Sequence, residues 1–251
     1  MSGLRSPIVS DLMDAAVTRV LRAAGAAAIV GVACVALLWL ALPPGGAGAS
    51  ASATARQQAQ ARKALLVLSD MPSGWTKTKA PNNSTTPGAA QLARCIGVAK
   101  SLIAENPPSV TSPQFQNRGA TLIVNDNVSI FPSAKNAAQE FASIANAKTP
   151  GCLTTLASGP LKAKMLGGIP KGVTVGAVLV SPIDAATFGA GTTGYSMSVP
   201  VTTNGVTVNL TVTQVFAVKG RLGQQVSFTS VGSPFSIGLE QHLSAVAVAG
   251  L

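Results

Sequence analysis

Little in this sequence is charged, aromatic or able to act as a base. Only 10% of its 251 residues carry charge, eight of them acidic, and there is a single histidine and a single tyrosine. With 47% apolar residues, so little charge excludes the composition of an intrinsically disordered chain. Three cysteines are too few for a disulfide-dense miniprotein. One histidine without any Cys-x-x-Cys argues against zinc, and no cofactor motif is present. The Gly-x-Ser-x-Gly elbow, the Ser-x-x-Lys signature and the Gly-x-x-x-x-Gly-Lys-Ser/Thr phosphate loop are all missing. Gly167-Gly168, Gly172 and Gly176, near Lys162, Lys164 and Lys171, therefore read as a loop.

What is abundant is apolar sequence near the start. Ala23 to Leu42 contains no charge, and twenty residues at ~1.5 Å each span about 30 Å, the thickness of a bilayer's hydrocarbon core. Trp39 suits an interfacial anchor, and Pro43-Pro44 stops the helix. Arg5, Arg19 and Arg22 precede the run, which orients residues 1–22 to the cytoplasm and the rest outside. Two fates are open: a retained anchor over 23–42, or a cleaved signal, since Ala47-Gly48-Ala49 has the form a signal peptidase accepts. Residues 43–61, rich in Gly, Ala, Ser and Gln, read as a flexible stalk. Residues 62–251 are then an extracytoplasmic domain, long enough for a full core.

In an oxidising space a disulfide persists, and this domain holds two cysteines, Cys95 and Cys152. The economical reading pairs them; the alternatives are two inert buried thiols or half a metal site. From residue 64 onward, twelve Lys/Arg face six Asp/Glu, but they are scattered and no aromatics interleave with them. That excludes a nucleic-acid pattern and favours attraction to anionic headgroups or envelope polymers.

Local patterns give the class. Ser69 to Trp75 is a turn, with Pro72 fixing φ and Gly74 free to take positive φ. Ala89–Glu105 has helical spacing and ends before Pro107-Pro108. Ala120 to Ile130 alternates as a strand, interrupted by Asp126, which reads as a bulge or an edge charge. Ser133 caps a helix carrying Ala137, Phe141 and Ile144. Val173–Val180, Tyr195–Val201, Val206–Thr213 and Leu222–Phe228 are strands, with Asn204-Gly205 as a hairpin turn and Lys219-Gly220 as the next. The Val/Thr alternation over 206–213 predicts one buried and one wet face. Ser233-Pro234 opens a last helix whose Phe235, Leu239, Leu243 and Val246 cover the sheet. The class is α+β, a twisted antiparallel sheet with helices packed on it.

Leu68-Ser69-Asp70-Met71-Pro72-Ser73-Gly74-Trp75, Cys95, Ser112-Pro113-Gln114-Phe115, Phe131-Pro132-Ser133-Ala134 and Cys152 together resemble actinobacterial envelope proteins with a sensor-like domain. In plan this domain is similar to the ectodomain of PknH-type receptor kinases and to Mog1/PsbP-like lipoproteins. The resemblance covers about 65–251 and implies an α+β sandwich with a ligand cleft. This chain lacks a kinase domain and has one cysteine pair where the kinase ectodomain has two.

Three functions remain. The first is a noncatalytic tethered domain binding an envelope lipid, glycan or protein, with Trp75, Phe115 and Tyr195 at the rim of its cleft. The second is a structural partner of a membrane complex. The third is a hydrolase using His242 or Asp126, for which no partner residue is visible in the sequence.

Overall fold

A computed structural model gives the fold. It describes residues 51–79, 89–98, 107–158, 172–184, 188–189 and 191–251. The expected cytoplasmic segment, the membrane span 23–42, stalk residues 43–50 and the glycine–lysine loop over 162–171 lie outside them. Among the described residues no helix is long and apolar enough to cross a membrane.

In chain order the elements are α1 (Ala51–Lys63), β1 (Thr76–Thr78), α2 (Ala89–Ile96), β2 (Ser109–Thr111), β3 (Gln114–Gln116), β4 (Leu122–Ile130), α3 (Ala134–Ile144) and α4 (Thr149–Ser158). Then follow β5 (Val173–Val175), β6 (Leu179–Pro182), β7 (Thr192–Thr203), β8 (Val206–Lys219), β9 (Leu222–Val231) and α5 (Ile237–Gly250). The strands form one antiparallel sheet in the order β1-β3-β4-β9-β8-β7-β5, with β2 also pairing β4 and β6 also pairing β7. The class is α+β.

Turn chemistry fixes the register. Asn204 and Gly205 have φ of 51° and 77°, the two positive values a type I′ turn needs, and they pair Thr203 with Val206. From that pairing every alternate side chain along β7 and β8 is assigned to a face. Ser133 caps α3, its hydroxyl accepting from the Asn136 N–H at 3.1 Å, as its sequence position predicts. Gly74 takes φ +84° in the Pro72–Trp75 turn.

Both faces of the sheet are covered, which corrects the expectation of one wet side. On one face Val124, Val128, Val215, Ala217, Val226 and Phe228 lie under α5 and the end of α1. On the other, Tyr195, Met197, Leu210, Val212 and Phe216 lie under α2, α3 and α4. We call these the α5 face and the α3 face. The Val/Thr pattern does expose Thr207 and Asn209 near the hairpin, but Thr213, farther along the same strand, is buried. Each fully buried Leu or Phe contributes about 1.5–3 kcal/mol, so two filled faces stabilise the sheet far more than one.

Several boundaries differ from the sequence reading for local reasons. Residues 51–61 of the expected stalk are helical, the greater part of α1, and Ala61 is fully buried with Val128 and Ile130. The helix expected over 89–105 is interrupted at Gly97, where φ is +80° and the Gly97 and Val98 N–H groups bond back to the Arg94 and Ala93 carbonyls; residues 99–105 lie outside the described residues. The Val173–Val180 strand is split at Gly176, where an added Cβ would sit 2.6 Å from Pro200 Cγ. The last helix begins at Ile237 rather than Ser233, with Ser236 as its cap. Finally, Asp126 is no edge charge: β4 runs between β9 and the β2/β3 pair, and Asp126 is wholly buried. The bulge lies opposite it, where Ser112 accepts the Asp126 N–H on its hydroxyl at 2.9 Å.

Candidate functional site

The register across the α3 face places polar side chains where a sheet interior is normally apolar. One row of cross-strand neighbours reads Tyr195, Gln214, Ser227 and Asn125 from β7 to β4. The adjacent row reads Thr193, Phe216, Gln225, Asn127 and Thr111. Gln214, Gln225, Ser227 and Asn127 are buried, and Asn125 is half-buried. Together they form a polar seam crossing β8, β9 and β4.

Part of the seam is self-satisfied. Asn127 donates to the Thr111 hydroxyl at 2.9 Å, and Ser129 donates to Asn127 at 3.5 Å. Gln214 Nε2 and both amide atoms of Gln225 are buried with no hydrogen-bond partner among the described residues. An unpaired buried amide costs about 1–3 kcal/mol, so three such atoms side by side are a substantial uncompensated load.

Above the seam lies α3, with Ala137, Glu140 and Ile144 as its inward stripe. Ala137 and Ile144 pack with Phe216 and Tyr195, so the intervening turn brings Glu140 over the same layer. Burial alone raises the Glu140 carboxyl to about 8, keeping it mostly neutral at pH 7. The Tyr195 hydroxyl donates to the Ile144 carbonyl and ties the end of α3 to β7. Burial raises its phenol as well, against side-chain hydrogen bonds to Thr149 and Thr193.

The helical layer is stapled. Cys95 of α2 and Cys152 of α4 form a disulfide with Cα atoms 5.8 Å apart, closing a sequence separation of 57 residues. Cys152 is buried beside Leu92, Ile96 and Leu156, whereas Cys95 faces solvent.

The other face carries a second polar group of a different kind. Asp126 Oδ2 accepts from the Leu66 N–H and from Gln224 Nε2, both at 3.0 Å, and the same Nε2 reaches the Ala64 carbonyl at 3.0 Å. Burial raises Asp126 to about 7, opposed by those hydrogen bonds. Glu240 of α5 is likewise raised to about 7 by burial, opposed by its bond to Thr213. Asp126 and Glu240 lie on the α5 face, and Glu140 lies across the sheet from both.

The three expected rim residues do not share a cleft. Trp75 and Phe115 belong to the α5 face, where Phe115 is fully buried and Trp75 packs against Phe235 with ring centroids 6.2 Å apart. Tyr195 belongs to the α3 face. His242, expected at the border of the apolar stripe, is exposed. Among the described residues no group of three or more His, Cys, Asp or Glu could hold a metal ion.

No protein-family model and no curated protein matches the chain. One solved structure to which it is similar is the extracellular domain of PknH from Mycobacterium tuberculosis, with 11% identity and a TM-score of 0.41. That likeness covers 76% of this chain and 94% of the other.

Proposed function

We propose that this chain is a noncatalytic binding domain held outside the cytoplasmic membrane, receiving an envelope lipid, glycan or protein ligand on its α3 face. The observation that carries the reading is the Cys95–Cys152 staple across the helices above a seam of unpaired amides. A disulfide between two helices persists in an oxidising compartment and is rare in the cytosol. The charge-free run over 23–42 with arginines on its N-terminal side supplies the route to that compartment.

Hydrolysis is disfavoured by the placement of the acids. A glycosidase needs two carboxyls across one cleft, and Glu140 is separated from Asp126 and Glu240 by the sheet itself. Asp126 and Glu240 share a face, yet each is engaged under helices by neighbouring polar groups. Buried acids also leave the basic side chains to dominate the surface, which suits an anionic envelope.

Native mass spectrometry of the full chain extracted from its own host tests the reading. A co-purifying ligand mass, lost on substituting Gln225→Leu, is the expected result. A ligand-free chain that instead carries one stoichiometric protein partner, unaffected by that substitution, would establish the assembly role in its place.

A further inference from the structure

We propose that the seam formed by Gln214 and Gln225 beneath Glu140 binds a neutral, hydroxyl-rich group of the kind a sugar ring presents. This rests on the binding-domain reading above and names the ligand class of that same site.

The argument is one of donors and acceptors. Among the described residues Gln214 Nε2 and Gln225 Nε2 are donors without partners, and Gln225 Oε1 is an acceptor without one. The two glutamines are diagonal neighbours on adjacent strands, because Gln214 pairs Ser227 and Gln225 pairs Phe216. An occupant must therefore give and take hydrogen bonds within one small area. A cation offers only donors and leaves both Nε2 groups unpaired; an anion offers only acceptors and leaves Oε1 unpaired. A hydroxyl does both, and a ring that carries several can address the two side chains at once.

Among the described residues no countercharge is built into the layer. On α3 Lys135 is exposed, on α2 Arg94 is exposed, and α4 carries no charged residue. On β8 Lys219 is exposed, and beside β9 Arg221 donates its Nε to the Phe131 carbonyl at 2.7 Å. A neutral carboxyl, which both donates and accepts, is the form of Glu140 that suits such surroundings. Asn125, half-buried at the end of the Gln214 row, is where the seam meets solvent.

The test uses the full chain in detergent, labelled with 15N on glutamine side chains. Glucose, N-acetylglucosamine, trehalose and myo-inositol are titrated at millimolar concentration, with spermidine and inorganic phosphate as charged probes. Saturable shifts of the Gln214 and Gln225 amide signals with at least one polyol, and none with either charged probe, are expected. Glu140→Gln, which keeps one donor and one acceptor, should bind within about threefold of the parent, whereas Gln225→Leu should lose at least tenfold. Saturation by spermidine that E140Q abolishes would overturn the neutral class and leave a binding domain standing. Glutamine signals unmoved by every probe, with a buried water as their partner, would overturn the site. A charged or purely acyl ligand recovered from the host would overturn the class alone.

Discussion

One amide nitrogen of Gln224, on β9, is bonded to Asp126 Oδ2 of the neighbouring strand β4 at 3.0 Å. The same nitrogen reaches the Ala64 carbonyl, while Asp126 receives the Leu66 N–H, so two side chains of the sheet hold the chain just after α1 by its backbone. Oδ1 of Asp126 and Oε1 of Gln224 have no partner among the described residues. A carboxyl raised to about 7 takes up a proton at little cost near neutral pH. Asp126→Asn, which mimics the protonated acid, should therefore be neutral or stabilising at pH 8. Asp126→Ala, which strips the Leu66 N–H of its acceptor, should cost about 1–3 kcal/mol. Urea denaturation gives both values, and hydrogen exchange at the Leu66 amide should accelerate in D126A alone.

Three buried acids give the domain an unusual dependence on pH. Glu140 stands at about 8, Asp126 and Glu240 at about 7, all above their ordinary values of 4.5, 3.8 and 4.5. Between those limits the folded state binds more protons than the unfolded state, so stability falls as pH rises. The contribution is complete below about pH 4 and is lost progressively up to about pH 8, at most about 1.4 kcal/mol per group for each pH unit. The urea midpoint should be higher at pH 5 than at pH 8. In Glu140→Gln the slope should flatten and the pH 8 midpoint should rise.

Joining α2 to α4 closes a long loop. The chain-entropy relation gives about 4 kcal/mol for a separation of 57 residues. Cys95→Ser combined with Cys152→Ser should lower stability by an amount of that order. Added reductant should do the same to the parent and leave the double variant unchanged, read by denaturant midpoint.

Gly250 lets the end of α5 touch the chain leaving α1. A Cβ there would lie 2.8 Å from Ala64 Cα and 3.2 Å from the Ala64 carbonyl oxygen, and backbone cannot yield as a side-chain tip can. Gly250→Ala should destabilise by about 1–3 kcal/mol despite the better helix propensity of alanine. Gly238, near the start of the same helix with nothing within 4 Å of its Cβ, is the control: Gly238→Ala should be neutral or stabilising.

Legibility in the sequence followed the range of the interactions. The Asn204-Gly205 hairpin and the Ser133 cap are written in a few adjacent residues and stand where their patterns put them, while β4 begins at Leu122 rather than Ala120, which takes φ +51° in the preceding turn. The cysteine pairing was legible because the domain region holds only those two. The second covered face was not, since Thr213 looks solvent-facing until α5 lies over it. Nor was the seam read, although its signals were present. Gln214 interrupts the alternating run that ends at Phe216, and Gln225 sits between Leu222 and Val226 on the opposite parity, the one it shares with buried Ser227. Glu140 occupies the i+3 position from Ala137 within an inward stripe. A polar residue on a buried parity identifies a site only when the strand that pairs with it is known. Trp75, Phe115 and Tyr195 do not converge on one rim because face assignment depends on register, which spacing along one strand cannot supply.

The redox state of Cys95 and Cys152 in intact cells tests the account at its root. Living cells are treated with a membrane-impermeant maleimide, with and without brief impermeant reductant, and the chain is then recovered and mapped by mass spectrometry. A Cys95–Cys152 linked peptide that becomes labelled only after external reduction is the predicted result. Two free thiols, unlabelled until the cells are lysed, would contradict an extracytoplasmic domain and the binding role built on it.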